Sequence, residues 1–307
     1  MNRNIRFLLT AAAVLPAFIA IPAASAQDEK SQTETAQTPA EKETIAKIRK
    51  LMEEGNYKES ADAARAALEA IPAKSQSEAV GPIWSMYRTS LVRNNRVKEY
   101  DDAYAFVTAR FPKNVSLAAE FNASITTYGY FFNNTFTRGS NRGNAGRRVY
   151  STERDRVQNL RFMASASEET KNVSKPLQIK FYRTLAALLL RGHTDGQSYK
   201  LQTLTDLTDL PDYDEGDFGS SSRPPVNKDG SPVLYSCPKD FASAKSDGER
   251  VRWAFEQAIA LGDYRSKYEW ASFLANEFDF SQINWDVRNE YQTSDKYRDF
   301  LYEMKDV

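Results

Sequence analysis

The sequence predicts an all-α protein of antiparallel helical hairpins stacked as a repeat array or solenoid, with a loop-rich insertion over residues 211–240. Three observations lead there. Apolar residues recur at helical spacing from Glu41 onward, as the 3.6-residue period of an amphipathic helix requires. Landmarks of the first hairpin return forty residues later: Leu51 and Leu91, Gly55 and Asn95, Ala64 and Tyr104, Ala67 and Val107, Pro72 and Pro112. A further hairpin near the end opens on Ser246-Asp247-Gly248-Glu249, the signature of a capping box.

Residues 1–26 combine a basic start (Arg3, Arg6), an apolar run from Phe7 to Ile21 and the triplet Ala24-Ser25-Ala26 ahead of Gln27. That is the three-part layout of an export signal peptide. The run is short for a membrane span, Pro16 interrupts it, and no cysteine stands at the cleavage point to take a lipid. Removal after Ala26, a periplasmic or extracellular location and no membrane insertion afterwards are the expectations. Residues 27–40, rich in Glu, Gln, Thr and Ser, have too little apolar surface to offset ordering entropy and read as a flexible leader.

Residues 41–138 read as helical hairpins. In the first, Ile45, Ile48, Leu51 and Met52 form a stripe, Gly55-Asn56-Tyr57 a turn, and Ala61, Ala64, Ala67 and Leu68 a second helix ending at Pro72. In the second, Trp84, Tyr87 and Leu91 precede the turn Asn94-Asn95, and Ala103, Tyr104, Val107 and Phe111 follow it up to Pro112. A third helix is expected over 116–132, with Leu117, Phe121, Ile125, Tyr128 and Phe132 on one face. Its cluster Tyr128-Gly129-Tyr130-Phe131-Phe132 reads as core, with stacking on a sugar or gripping a peptide as the functional alternative. The glycine-rich, arginine-bearing stretch from Arg138 to Arg148, with residues 139–150 as the interdomain loop, reads as a solvated linker. It lacks the Walker spacing of a phosphate loop.

A second helical domain is expected over 151–279. Val157, Leu160, Met163 and Ala164 mark one helix, and Pro176 to Arg191 another, ended by Gly192. His193 lies beyond that end without an assignable nucleophile. Leu201, Leu204, Leu207 and Leu210 suit a short helix, and 212–239 a loop holding a small hairpin around Asp229-Gly230. The acidic run 212–217 lacks the ligand spacing of a calcium loop. In the closing hairpin Val251, Ala254, Phe255, Ala258 and Ile259 face Tyr264, Tyr268, Ala271, Leu274 and Phe278 across Leu261-Gly262. Residues 280–307 form a charged, aromatic C-terminal tail.

Composition excludes several function classes. Lysine plus arginine (41) equals aspartate plus glutamate (41), and loss of Arg3 and Arg6 with the signal peptide leaves 39 against 41, a net charge of −2. No excess positive charge is present to hold nucleic acid. A mean hydropathy of −0.61 rules out a multi-span membrane protein. One histidine and one cysteine exclude an internal disulfide framework and a Cys/His zinc site. Cys237 reads as a small, half-buried residue. Sequons at Asn114, Asn122, Asn133 and Asn172 matter only in a glycosylating host.

The spacing within 41–112 resembles a tetratricopeptide repeat (TPR): apolar or aromatic positions, turn, small residues, closing proline. Ser60 and Tyr100 depart from it where that family prefers alanine, Asn95 replaces the turn glycine, and 73–80 lengthen the linker. Generic antiparallel helices are the alternative. A second stretch is similar to the N-terminal helical region of large exported bacterial proteins of the alpha-2-macroglobulin type. It is carried by Asn227-Lys228-Asp229-Gly230-Ser231-Pro232-Val233, Pro238-Lys239-Asp240-Phe241, Ser246-Asp247-Gly248-Glu249-Arg250 and Arg252-Trp253-Ala254. Cys237 is followed by Pro238-Lys239 where that family's thioester has Cys-Gly-Glu-Gln, so the resemblance implies at most an accessory helical region or a shortened relative.

Together these readings predict an exported, non-catalytic protein–protein interaction scaffold, since stacked hairpins expose an extended groove. A protein or peptide is the expected partner, with no cofactor, metal or catalytic residue. Tyr57, Trp84, Tyr87 and Tyr104 are the partner-binding candidates, each also suited to the core. The alternatives are a secreted glycan-binding module, given 16 tyrosines and 4 tryptophans, or a polysaccharide-degrading enzyme using Tyr, Arg and paired carboxylates.

Overall fold

A computed structural model describes residues 36–122, 126–139, 146–192, 198–214, 233 and 235–278. The chain is mostly helical and also carries a small three-stranded antiparallel sheet, which corrects the all-α expectation.

Helix α1 (Pro39–Glu53) begins inside the stretch expected to be a flexible leader. Thr38 caps it: its hydroxyl accepts from Glu41 N at 3.2 Å and Glu41 Oε2 accepts from Thr38 N at 2.7 Å, with Pro39 in the first turn. The other Glu41 oxygen accepts from Ser77 Oγ at 2.7 Å, a tertiary tie that holds the cap in place. Helix α2 (Tyr57–Ala70) follows a tight turn in which Gly55 has φ +79°. There Asn56 N donates to Leu51 O at 2.8 Å. After α3 (Val80–Arg93) the same bond recurs forty residues on: Arg96 N donates to Leu91 O at 2.8 Å, and Asn95 takes φ +57°. Asparagine is among the few residues that tolerate the left-handed region, so it stands where the first hairpin has glycine. A 3₁₀ turn (Val97–Glu99) leads into α4 (Tyr100–Arg110). The Arg110 guanidinium then donates to the carbonyls of Leu68, Glu69 and Ile71, satisfying the open C-terminal end of α2.

Inside these hairpins lie Ile45, Ile48, Ala61, Ala64, Leu68, Ile83, Trp84, Leu91, Tyr104 and Val107, all buried. Ser60, an exception to the repeat pattern, is fully buried with its hydroxyl 2.9 Å from that of Ser90 on α3. Gly81 allows the short helix α5 (Val115–Ala118) to approach α3, because a Cβ there would stand 2.2 Å from Ser116 O.

The expected helix over 116–132 stops at α5. Strand β1 (Tyr128–Phe132) takes its place, paired with β2 (Thr135–Arg138) and β3 (Arg147–Tyr150) in the order β2-β1-β3. Aromatic and threonine side chains favour a pleated surface. Asn133 and Asn134, at φ +46° and +59°, make the two-residue turn that suits the twist of a hairpin. Gly129 leaves room for the Phe136 ring, which a Cβ would meet at 2.4 Å.

The linker reading of the glycine-arginine stretch is corrected at both ends, since Arg138 and Arg147–Tyr150 belong to strands; 140–145 lie outside the described residues. Arg138 is buried and donates to Asp101 Oδ1 at 2.7 Å, to Ser151 Oγ at 2.8 Å and to Thr126 O at 2.8 Å. It thereby fastens the sheet to α4 and to α6 (Thr152–Ala166).

A 3₁₀ segment (Ser167–Asn172) connects α6 to α7 (Lys175–Leu190), both near their expected positions. The leucine-periodic segment is not a full helix: a 3₁₀ turn (Ser198–Gln202) buries Leu201, whereas Leu204 is exposed. Thr205 N bonds Asp247 Oδ1 at 3.0 Å, so a side chain captures the backbone that a helix would use. Asp214 pairs with Tyr150 beside β3. The hairpin expected around Asp229-Gly230 lies outside the described residues.

Helix α8 (Asp247–Ala260) has half of the expected capping box. Ser246 Oγ accepts from Glu249 N at 3.2 Å, but Glu249 turns to Lys245 N (2.7 Å) and Ser236 Oγ (2.9 Å). After Gly262, α9 (Tyr264–Phe278) packs on a face rotated from the expected one. Trp270, Phe273 and Leu274 are buried, while Tyr264 and Tyr268 are 85% and 73% exposed. Trp270 at i with Phe273 and Leu274 at i+3 and i+4 is the larger apolar stripe, and its indole stacks on Phe273 at 5.5 Å. One apolar cluster runs through both expected helical regions, from Ile45 to Leu274.

Candidate functional site

Helix α3 has two differentiated faces. Ile83, Trp84, Tyr87 and Leu91 point into the core. Pro82, Ser85, Met86 and Thr89, at i, i+3, i+4 and i+7, instead floor an open hollow of about 620 Å³, with Arg93 one turn further. Arg49, Met52 and Glu53 of α1 and Tyr57 at the start of α2 form one wall; Glu120 and Lys180 form the other. A second hollow of about 600 Å³ lies between α7 and α9, lined by Ile179, Arg183, Ala187, Leu190, Arg265 and Glu269 among others. Lys180 lines both, so the two hollows adjoin on the face formed by α1, α3, α7 and α9.

Long-range polar contacts hold these walls in register. Glu78, just ahead of α3, accepts from Ser174 N at 2.8 Å and Ser174 Oγ at 3.1 Å, capping α7 from 96 residues away. Thr184 Oγ1 donates to Ala119 O at 3.0 Å. Arg183 donates to Glu269 Oε1 at 2.7 Å and ties α7 to α9.

The lining carries five cationic groups, Arg49, Arg93, Lys180, Arg183 and Arg265, against Glu53, Glu120 and Glu269. Lys180 pairs with Glu120, and Arg183 and Arg265 share Glu269. Among the described residues no carboxylate lies within ion-pair distance of Arg49 or Arg93. Beneath the floor Arg88, 5% exposed, donates to Glu120 O at 3.0 Å and to Ser85 Oγ at 3.4 Å. Burial draws its pKa below the ordinary arginine value.

Of the four sequence candidates only Tyr57 lines this groove. Trp84, Tyr87 and Tyr104 are 0%, 5% and 5% exposed and pack edge-on, with Trp84 6.1 Å from Tyr87 and 6.2 Å from Tyr104. They are core residues because they lie on the face of their helices that turns toward the partner hairpin. Burial raises the Tyr104 phenol well above its ordinary pKa. The groove residues that sequence reasoning missed are Arg49, Met86, Arg93 and Lys180. Met86 and Arg93 lie on a mixed polar face of α3, which a period alone does not separate from a solvated one, and Arg49 on α1 and Lys180 on α7 carried no signal of their own.

Among the described residues no group of three or more His, Cys, Asp or Glu is arranged to hold a metal, and no helix is long and apolar enough to cross a membrane. Cys237 is exposed, not half-buried, and partial desolvation with nearby Glu256 pushes its thiol pKa up, which disfavours the nucleophilic thiolate. Asn114 is fully buried and caps α5, so its sequon is closed to modification in the folded chain. His193 lies outside the described residues.

The fold and groove define a mostly helical protein with an open cleft of net positive lining. Comparison with family models, curated proteins and solved structures finds no match.

Proposed function

We propose that this chain is an exported, non-catalytic docking protein whose groove across α1, α3, α7 and α9 receives a segment of another protein. The observation that carries the reading is the second face of α3: Pro82, Ser85 and Thr89, at i, i+3 and i+7, stay partly exposed and, with the edge of the otherwise buried Met86, floor a hollow that adjoins the one between α7 and α9. Grooves between helices are a common mode of peptide capture. The TPR-like reading of the first two hairpins supports it, because stacked hairpins of that kind present one helix of each pair to a shared groove. Export rests on the signal layout of residues 1–26, and the alpha-2-macroglobulin resemblance adds the proposal that this chain is an accessory helical region or a shortened relative of such proteins.

The test is saturable binding by the full chain. Thr89→Trp fills the floor of the hollow and abolishes binding, while Tyr264→Ala with Tyr268→Ala, on the outer face of α9, leaves it intact. Binding that survives Thr89→Trp and disappears with the α9 pair would overturn this reading.

A further inference from the structure

The groove's chemistry narrows its occupant, given the docking reading above. Among the described residues no carboxylate stands within ion-pair distance of Arg49 or Arg93 at the first hollow, and Arg88 lies buried beneath the floor, donating to the Glu120 carbonyl and the Ser85 hydroxyl. We propose that the groove takes an acidic peptide segment, its carboxylates at Arg49 and Arg93 and its apolar side chains between Met52, Tyr57 and Met86.

The composition of the lining favours a peptide over a polysaccharide. Methionine, proline and aliphatic side chains adapt to varied apolar residues, whereas a sugar ring needs exposed aromatic platforms, and Tyr57 and Phe255 are the aromatic members of the two linings. Glu53, Glu120 and Glu269 also interrupt the positive surface, which fits a chain of mixed side chains and opposes a polymer charged at every unit. Planar guanidinium groups bind carboxylates through two parallel hydrogen bonds, so Arg49 and Arg93 supply register as well as charge.

A random 12-residue peptide library is panned on the full chain at low salt, and one selected peptide is then titrated by fluorescence polarisation. The expected binders carry net negative charge around an apolar centre. Their affinity falls about tenfold in the Arg49→Glu/Arg93→Glu variant and falls with added salt. Both arginines are exposed, and circular dichroism checks that the variant folds. Neutral or basic binders that Thr89→Trp displaces would overturn the acidic assignment while leaving the docking reading standing. The absence of any binder sensitive to Thr89→Trp would remove both. Polygalacturonate binding that Arg49→Glu/Arg93→Glu abolishes, with no peptide selected, would overturn the peptide assignment.

Discussion

Arg138, at the end of β2, meets Asp155 on α6 through two parallel bonds, Nη1 to Oδ2 at 2.8 Å and Nη2 to Oδ1 at 2.9 Å. The guanidinium is 2% exposed, and burial holds the Asp155 carboxyl above the ordinary aspartate range even with the cation beside it. Because Asp101 and Ser151 share the same guanidinium, this pair joins sheet, α4 and α6 at one point.

Arg138→Met therefore leaves a buried carboxylate without its counter-charge, and a loss of about 3–5 kcal/mol is expected in denaturant unfolding at neutral pH. In the variant the Asp155 pKa rises further, because the cation no longer offsets desolvation and the Ser151 hydroxyl does so alone. A raised folded-state carboxyl pKa favours folding below the unfolded value and loses that contribution as pH climbs through the folded value. The deficit against the parent chain is thus smaller near about pH 4 than near about pH 8. A deficit that is constant across this range would contradict it.

The Ser60–Ser90 pair makes a different prediction. Removing one hydroxyl leaves the other in an apolar interface, at about 1 kcal/mol each for Ser60→Ala and Ser90→Ala. The double variant removes both polar groups and costs less than the sum. Chemical denaturation of all four proteins gives the coupling; strict additivity would mean that the hydroxyls do not depend on one another.

Gly81→Ala tests the contact between α3 and α5. Helix propensity alone gains about 1 kcal/mol from the change. The new methyl meets the Ser116 backbone carbonyl, which cannot swing aside as a flexible side chain would. Overpacking costs typically about 1–3 kcal/mol, so net destabilisation is expected as a lower thermal midpoint. A higher midpoint would show that α5 moves freely.

Acid sensitivity has a visible contributor at the second turn. Hydrogen bonds from Arg96 hold Glu99 below the ordinary glutamate pKa. A depressed carboxyl pKa stabilises the fold above the unfolded value and loses that contribution as pH falls through the folded one. Both side chains meet solvent, so screening limits the effect to about 0.5 kcal/mol. Arg96→Ala should lower the thermal midpoint at neutral pH, with the difference shrinking below about pH 4. A difference that grows on acidification would reverse the sign argued here.

Local chemistry made much of the helical framework legible. The caps at Ser246 and the turns at Gly55, Asn95 and Gly262 depend on a few adjacent residues, so they could be read directly. Strand β1 could not: Tyr128 and Phe132 fit a helical stripe equally well, and only pairing with Thr135–Arg138 and Arg147–Tyr150 decides between the two. The face of α9 was missed for a related reason, since Tyr264 and Trp270 both offer apolar surface and the neighbouring α8 determines which one is covered.

The sequence by itself determined where most of the helices run and where their hairpins turn, because capping, left-handed turn residues and apolar period act over a few residues. Tertiary structure alone decided that Trp84, Tyr87 and Tyr104 are core while Thr89 and Arg93 border an open groove. That assignment depends on which helix covers which face, through contacts as distant as Glu78 with Ser174. No short window of the chain contains that information.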